Sequence, residues 1–225
     1  FIQVGPQFAA DRYAYLPLAG PFILAGLAAS ELLALRAGGV LRSLSALLAA
    51  IAIGFLCLLT VQQQSVWKDS VSLWDHQIRL YPGASPIAYY NRGMASGEKG
   101  EHLKAIEYFN IAVSMEPAFI KAYLNRGFSF SATGDSEKAI EDFGRVLELD
   151  PDYAKAYLNR GFLYLQSGKN ALALKDLSEA VRLDENNGFA LYNLGVAYSR
   201  AGDEAMSKSL FERAAKRGYS VPPSP

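Results

Sequence analysis

The sequence predicts an all-α protein in which two transmembrane helices precede a solenoid of helical hairpins. The segment KAYLNRGF occurs twice, at residues 121–128 and 155–162, with an offset of 34 residues. Verbatim recurrence at a fixed period is typical of arrays in which each unit buries its apolar face on the next unit. Two long apolar runs lie upstream of this repeat, and nearly all charged residues follow them.

Charge divides the chain into two regions. Residues 1–61 carry five charged side chains, whereas residues 62–225 carry 19 Lys or Arg and 20 Asp or Glu. The second region offers no basic stripe, so we expect no nucleic-acid partner. The single cysteine, Cys57, excludes a disulfide framework within the chain. Because the first residue is Phe1 and no signal-peptide pattern precedes the apolar runs, we expect a fragment of a longer protein.

The two apolar runs predict the membrane helices within residues 15–61. Residues 15–35 contain one charge in 21 residues, and residues 44–61 contain none in 18. Each run is about long enough to cross a ~30 Å hydrocarbon layer as a helix. Burial in a large soluble core is the alternative. The connecting turn holds Arg36 and Arg42 without an acid, which favours a cytoplasmic turn. We therefore expect residues 1–14 and the repeats in the periplasm, with the helices in the inner membrane, if the source is bacterial, or in a lumen if it is eukaryotic.

A charged pair and two tyrosines precede the first apolar run, in the segment QVGPQFAADRYAYLPLAG. This segment resembles the DRY-x-YLP segment of polytopic, glycosyltransferase-like membrane proteins with C-terminal tetratricopeptide repeats, whose animal members are linked to O-mannosylation. The segment VWKDSVSLWDHQIRLYPGAS resembles the junction between the last span and the first repeat of that family, so the resemblance covers most of residues 2–85. It implies a lipid-linked sugar donor for the parent protein and a catalytic acidic pair in a loop that this chain lacks. Asp11 and Arg12 are then candidates for an auxiliary role, and interfacial anchoring explains them equally well.

Four units align on the 34-residue period, at residues 86–119, 120–153, 154–187 and 188–219. One column of glycines stands where the two helices of a hairpin approach closely. A second column stands where the first helix ends and a left-handed residue is needed. These columns are Gly93, Gly127, Gly161 and Gly195, and Gly100, Gly134, Gly168 and Gly202.

This pattern resembles the tetratricopeptide repeat over residues 86–219. The resemblance implies a right-handed superhelix of helical hairpins whose concave groove is lined mainly by the first helices. Upstream, residues 62–81 predict one more helix, so that residues 62–85 form a linker resembling half a repeat.

Residues at both ends of the array predict where its helices start and stop. Ser85 followed by Pro86 predicts an N-cap and a first turn. Gly218 and the proline-rich tail at residues 220–225 predict that the last helix stops near Arg217.

Recurring side chains on the first helices predict a peptide groove. An asparagine at the sixth position of every unit can bond an extended peptide backbone, although a structural tie between neighbouring helices is equally compatible. Lysines at the second position partly resemble a carboxylate clamp, but the ninth position is apolar, so we expect a peptide with apolar anchors. The candidate groove residues are Asn91, Asn125, Asn159, Asn193, Lys121, Lys155, Tyr90, Tyr192, Phe128 and Phe162.

Arginine occupies the seventh position of three units, at Arg92, Arg126 and Arg160, and the fourth unit has Leu194 there. We expect their aliphatic stems to pack while the guanidinium groups pair with acids of an adjacent repeat.

No constellation of residues predicts catalysis on this chain. His76 and His102 lack the neighbours that would define a nucleophile or metal site, so we expect no enzyme activity, metal or cofactor for this chain. The expected function is a membrane-anchored scaffold that binds a protein or extended peptide outside the cytoplasm, with the lipid bilayer as a second partner. The alternative is the C-terminal region of a membrane glycosyltransferase, whose repeats recruit an acceptor protein and whose missing part contacts a lipid-linked sugar.

Overall fold

The computed structural model describes residue 26 and residues 39–66, 69–83 and 85–220. The chain divides into two units, residues 1–69 and 70–225. Outside the described residues lie the predicted external segment with Asp11 and Arg12, the first apolar run apart from Gly26, the turn at Arg36, and residues 221–225 of the tail.

The described part of the first unit is mainly one long helix, α1 (Gly39–Val66), of 28 residues, which contains the whole second apolar run. Its exposed large apolar side chains include Leu44, Leu47, Leu48, Ile51, Phe55 and Leu58. Across the described residues, no helix is found to be long and apolar enough to span a membrane, so the predicted pair of transmembrane helices is not supported.

The linker differs from the single helix predicted over residues 62–81. Residues 62–66 complete α1, and a separate helix, α2 (Ser70–Leu80), follows. Leu73 and Trp74 of α2 are buried, and α2 packs against the first helix of the array. In the described structure, the segment predicted as one helix over residues 62–81 thus contains the end of α1 and the separate helix α2.

Eight helices form four hairpins in the second unit. Each hairpin packs its two helices together, and its second helix then contacts the first helix of the next hairpin. The first helices begin at the residues where the 34-residue units begin. The pairs are α3 (Pro86–Glu98) with α4 (His102–Met115), α5 (Ile120–Ala132) with α6 (Ser136–Leu149), α7 (Ala154–Gln166) with α8 (Asn170–Leu183), and α9 (Gly188–Arg200) with α10 (Glu204–Lys216).

Local residues set the helix ends as the sequence predicts. Ser85 Oγ accepts a hydrogen bond from the Ile87 amide at 3.2 Å, and Pro86 occupies the first turn of α3. The last helix ends at Lys216, and Gly218 follows it with φ 80°. The same left-handed conformation ends the four first helices, with φ of 77° at Gly100, 85° at Gly134, 72° at Gly168 and 87° at Gly202.

The other glycine column allows the two helices of each hairpin to touch. A Cβ atom at Gly93 or Gly195 would lie 2.7 Å from the ring of Phe109 or Phe211. A Cβ atom would lie 2.9 Å from the Phe143 ring at Gly127 and 2.9 Å from Leu177 Cγ at Gly161. Because real Cβ atoms do not approach so closely, glycine at this position sets the spacing of the hairpin, as the sequence predicts.

The array ends on a polar helix and one aromatic residue. The buried residues of α10 are Ser207, Leu210 and Ala214, and most of its other side chains are exposed. After Gly218, Tyr219 folds back onto α9, with its ring 5.0 Å from that of Tyr192 and 5.8 Å from that of Phe189. Tyr219 therefore packs on Tyr192 much as Phe119, which precedes the second unit, packs on Tyr90.

Candidate functional site

The first helices present one common face. Positions 2, 6, 9 and 13 of each unit are separated by four, three and four residues, which places them on one side of a helix. Among the described residues, α3 contacts α5 directly and α7 contacts α9, so equivalent helices meet on this side of the array. We call this surface, formed by positions 2, 6, 9 and 13 of α3, α5, α7 and α9, the inner face.

Cationic and apolar side chains are exposed on the inner face. Lys121 and Lys155 are exposed at the second position of the two central units. The outer units have Ile87 and Phe189 there, which are 51% and 37% exposed. At the ninth position, Phe128 is 39% exposed although its ring packs edge-on against Phe143 at 5.5 Å. Phe162, the next residue in this column, is half-buried against Phe189.

The asparagine column lies along the inner face but is engaged with the protein itself. The Nδ2 atoms of Asn125, Asn159 and Asn193 donate to the backbone oxygens four residues earlier, at 2.9, 2.5 and 2.8 Å. Asn125 Nδ2 also donates to the Tyr90 hydroxyl at 3.2 Å and so joins α5 to α3. Asn91 is half-buried.

The four asparagines differ in how far their side chains are exposed. Asn193 is 3% exposed, so its amide does not reach the surface of the inner face. Asn125 and Asn159 are only partly buried. Three of the four predicted asparagines, Asn91, Asn125 and Asn159, are therefore partly accessible, and Asn125 and Asn159 lie one helical turn from the exposed lysines.

The two candidate tyrosines pack at the ends of the array. Tyr90 lies 5.1 Å from the Phe119 ring and 5.9 Å from the Phe109 ring. Burial raises the pKa of the Tyr90 phenol, Tyr153 adds to the rise, and the hydrogen bond with Asn125 opposes it. Tyr192 packs against Phe211 at 5.4 Å and against Tyr219. Both rings thus stabilise the array, and the Tyr90 hydroxyl also positions Asn125.

The arginines of the second and third units pair within their own hairpins. Arg126 donates to Asp142 through Nη2 at 2.6 Å and Nε at 2.8 Å, and Arg160 does the same to Asp176 at 3.0 and 2.7 Å. Burial raises the pKa of Asp142, and the bond from Arg126 opposes this rise. The bond with Asp176 raises the pKa of Arg160. The prediction that these arginines pair with acids of an adjacent repeat is corrected, because the acid lies on the facing helix of the same hairpin.

Arg92 finds its acid outside its hairpin. Tyr108 stands where the next units have aspartate, and the Arg92 guanidinium lies 4.7 Å from the centre of that ring. Arg92 Nε instead donates to Asp75 of α2 at 2.6 Å. The helix α2 therefore supplies the charge that α4 lacks, as the second half of a preceding repeat would.

A cavity of about 160 Å³ opens between α3 and α5, beside Asn125 and Phe128. Its lining also contains His102, whose Nδ1 atom is buried without a hydrogen-bond partner in the described structure. This cavity was not predicted from the sequence. The feature that could have indicated it is position 12 of the units, which is Gly97 in the first unit and Leu165 in the third. The lining residues are Met94, Gly97, Glu98, His102, Phe109, Asn125, Phe128 and Ser129.

In the described part of the chain, the side chains form no candidate metal site. Within it, no group of three or more His, Cys, Asp or Glu side chains is arranged to hold an ion.

The stacked hairpins define the protein as an α-solenoid built from helical repeats. Residues 87–119 and 190–217 match the family described as "Tetratricopeptide repeat", and residues 130–168 and 163–202 match "TPR repeat". These matches together cover more than half of the 225 residues. The chain belongs to the tetratricopeptide-repeat proteins.

Solved structures share this fold at low sequence identity. A crystal structure of MamA has a TM-score of 0.64 and 18% identity, covering 70% of this chain and 91% of that chain. MamA from Desulfovibrio magneticus RS-1 has a TM-score of 0.63 and 18% identity, covering 71% and 92%. The first TPR of Spaghetti (RPAP3) bound to the HSP90 peptide SRMEEVD has a TM-score of 0.51 and 21% identity, covering 52% and 94%. A comparison with curated proteins gave no match.

Proposed function

We propose that the array is a scaffold that holds an extended peptide of a partner protein along its inner face. The main support for this proposal is that the side chains of Lys121, Phe128 and Lys155 are exposed on that face and are not covered by neighbouring helices. Exposed apolar side chains rimmed by polar ones are typical of protein interaction sites. The packing that recurs in each hairpin leaves these side chains exposed to a partner.

The chemistry of the inner face indicates which peptide it takes. The Oδ1 atoms of Asn125 and Asn159 can accept hydrogen bonds from peptide amides, because the bonds of these side chains to the Lys121 and Lys155 backbone oxygens use Nδ2. Phe128 offers an apolar contact, and the two lysines favour a nearby carboxylate. We therefore propose a peptide with apolar anchors and at least one acidic residue. The tetratricopeptide structure of Spaghetti bound to SRMEEVD shows that this fold can hold a peptide containing acids.

To test this proposal, peptides that bind the full chain are selected from a random phage-displayed library. The affinity of the selected peptides is then measured by fluorescence anisotropy. Lys155→Glu and Phe128→Ala should each weaken binding by roughly 10-fold or more, because a few anchor residues dominate binding energy. Lys175→Glu is the matched control, since Lys175 is an exposed lysine on the second helix α8. Peptides that bind both lysine variants equally well would contradict the proposal.

We further propose that α1 attaches the chain to a lipid bilayer and that the array lies outside the cytoplasm. The support is the set of large apolar side chains that α1 exposes, which includes Leu47, Leu48 and Leu58 at 58%, 64% and 67%. Alkaline extraction of membranes should leave the full chain in the pellet. Protease added to intact spheroplasts should then cleave the repeats, whereas protection would contradict the proposed side.

The alternative proposal, that the chain is the C-terminal part of a membrane glycosyltransferase, is supported by the sequence resemblance over residues 2–85 alone. Upstream coding sequence with further apolar spans and an acidic pair in the first external loop would support it. A start codon directly before Phe1 would contradict it.

A further inference from the structure

The cavity between α3 and α5 is apolar and has the size of one side chain. Its volume is about 160 Å³, and an apolar protein cavity of about 150 Å³ is known to hold benzene. Apolar atoms form nearly all of the surface that it exposes, and the Nδ1 atom of His102 is buried away from that surface. A polar group that entered would lose hydrogen bonds with water that so little polar surface cannot replace. The cavity therefore favours an apolar occupant.

The other junctions between successive first helices indicate which apolar group fits. At the first junction, position 12 of α3 and position 10 of α5 both line the cavity, and both residues are small. Each of the other two junctions has a leucine at one position of the equivalent pair. The three pairs are Gly97 and Ser129, Ser131 and Leu163, and Leu165 and Ala197.

Both of these leucines belong to the core of the array. Leu163 is 2% exposed and shares a hydrophobic cluster with Phe143, and Leu165 is 4% exposed and shares one with Leu177. Phe143 and Leu177 occupy the position that Phe109 has in the first unit, and Phe109 lines the cavity. The cavity therefore lies where the first junction lacks the leucine that the other two have.

Charged side chains beside the cavity favour an acidic neighbour for the occupant. Lys121 is exposed on the inner face, one helical turn before Asn125, which lines the cavity. Glu98, the last residue of α3, is exposed in the lining itself. Lys121 attracts a carboxylate and Glu98 repels one. A complementary peptide therefore carries its acid on the side of Lys121.

We propose that this cavity binds a leucine side chain of the bound peptide, with an acidic residue next to that leucine directed toward Lys121. This inference rests on the proposed peptide-binding function. The isobutyl group packs among Met94, Phe109 and Phe128. It covers part of the Phe128 side chain, which is 39% exposed in the chain alone.

The experiment titrates the full chain with capped amino acids and follows the Met94 methyl group by NMR. The probes are the N-acetyl, N′-methylamide derivatives of leucine, alanine and asparagine. Alanine lacks three carbon atoms of leucine, and asparagine has the shape of leucine but a polar end. We expect the leucine derivative to produce a saturable shift and to bind roughly 10-fold or more tightly than either other derivative, because it buries more apolar surface and no unpaired polar group.

Two capped dipeptides, glutamate-leucine and glutamine-leucine, test the acidic neighbour. At low salt, the glutamate-leucine dipeptide should bind roughly 2- to 5-fold more tightly, the ratio of an exposed ion pair. Lys121→Gln should remove this difference, whereas Lys175→Gln, which changes an exposed lysine on α8, should preserve it. Equal binding of the two dipeptides to the wild type would overturn the assignment of the acid.

Two variants fill the cavity from opposite sides. Gly97→Leu and Ser129→Leu should each abolish binding of the leucine derivative. At Gly97 an added Cβ atom would meet only the Ala105 Cβ atom, at 4.0 Å, so the hairpin has room for the change. Ser199→Leu is the matched control, because it makes the same change at position 12 of the last unit and should preserve binding. Circular dichroism checks that each variant folds.

The subsite proposal is overturned if the leucine derivative binds no more tightly than the alanine or asparagine derivative. It is also overturned if binding survives in a folded filling variant. If selected peptides bind the inner face but the leucine derivative does not enter the cavity, the subsite proposal alone fails. If the leucine derivative binds as expected and no selected peptide depends on Lys155 or Phe128, the proposed function fails.

Discussion

Arg160 on α7 and Asp176 on α8 are joined by two hydrogen bonds, from Nε to Oδ2 at 2.7 Å and from Nη2 to Oδ1 at 3.0 Å. In the fourth unit, the same two positions hold Leu194 and Leu210, which belong to one hydrophobic cluster. Asp176 is 2% exposed, so this ion pair is buried on its acidic side. The two helices of a hairpin are therefore joined at this position by a charged pair in the third unit and by an apolar pair in the fourth.

The first prediction concerns this exchange. Asp176→Ala should destabilise the protein by about 3–5 kcal/mol, because it leaves the Arg160 guanidinium without its partner. The double variant Arg160→Leu with Asp176→Leu should be close to wild type or more stable, since well-packed apolar residues often replace a buried ion pair without loss. Urea unfolding followed by circular dichroism measures both.

The control for this prediction is an exposed ion pair on α6. Arg145 and Glu148 lie 2.7 Å apart, and their side chains are 43% and 66% exposed. Glu148→Ala should change the free energy of unfolding by less than about 1 kcal/mol. A double leucine variant as unstable as Asp176→Ala would show that the charged pair itself is required in the third unit.

The second prediction compares two glycines inside first helices. Gly127→Ala should destabilise the protein by about 1–3 kcal/mol, because the added Cβ would overlap the Phe143 ring. Gly97→Ala should stabilise it by about 0.5–1 kcal/mol, because alanine is favoured over glycine in a helix and the site has room. Thermal unfolding of both variants checks the opposite signs. Two shifts in the same direction would contradict the assignment of Gly127 as the close-contact glycine.

Local chemistry in the sequence predicts much of the fold. The left-handed glycines, the Ser85 cap and the stop before Gly218 appear as predicted, because each depends on residues adjacent in the chain. The close-contact glycines also appear as predicted, because they recur at the repeat period, although each contacts a side chain on the facing helix.

The candidate site was less predictable, because it depends on contacts between helices. The pairing of Arg126 with Asp142 spans 16 residues and requires the facing angle of two helices. Burial of Asn193 follows from the packing of the last hairpin. The cavity is formed by residues of α3, α4 and α5 together, and a single small residue, Gly97, was its only mark in the sequence.

The third prediction separates the structural and binding roles of the asparagines. Asn125→Ala should destabilise the protein by about 1 kcal/mol through loss of the bond to the Tyr90 hydroxyl. Asn159→Ala should change stability by less than about 0.5 kcal/mol, because its described side-chain bond stays within its own helix.

A double-mutant cycle tests the assignment to Tyr90. In a Tyr90→Phe background, the cost of Asn125→Ala should fall, because the hydroxyl that it serves is already absent. If the cost of Asn125→Ala were unchanged, Asn125 would stabilise the protein through a contact other than the Tyr90 hydroxyl. The effect of each asparagine on peptide affinity would then be measured in the Tyr90→Phe background.

The last prediction concerns the end of the array. Tyr219→Ala should destabilise the last hairpin by about 1–3 kcal/mol, because the ring contacts both Phe189 and Tyr192 and each aromatic pair contributes about 0.5–1.5 kcal/mol beyond its buried area. In Tyr219→Ala, backbone amide hydrogen exchange should become faster in α9 and α10 than in α5 and α6, since repeat arrays lose structure unit by unit.

Tyr81→Ala is the matched control, because Tyr81 is 51% exposed and its removal should shift stability by less than about 0.5 kcal/mol. Equal effects of the two tyrosine variants, or uniform exchange along the array, would show that the Tyr219 ring does not stabilise the last hairpin.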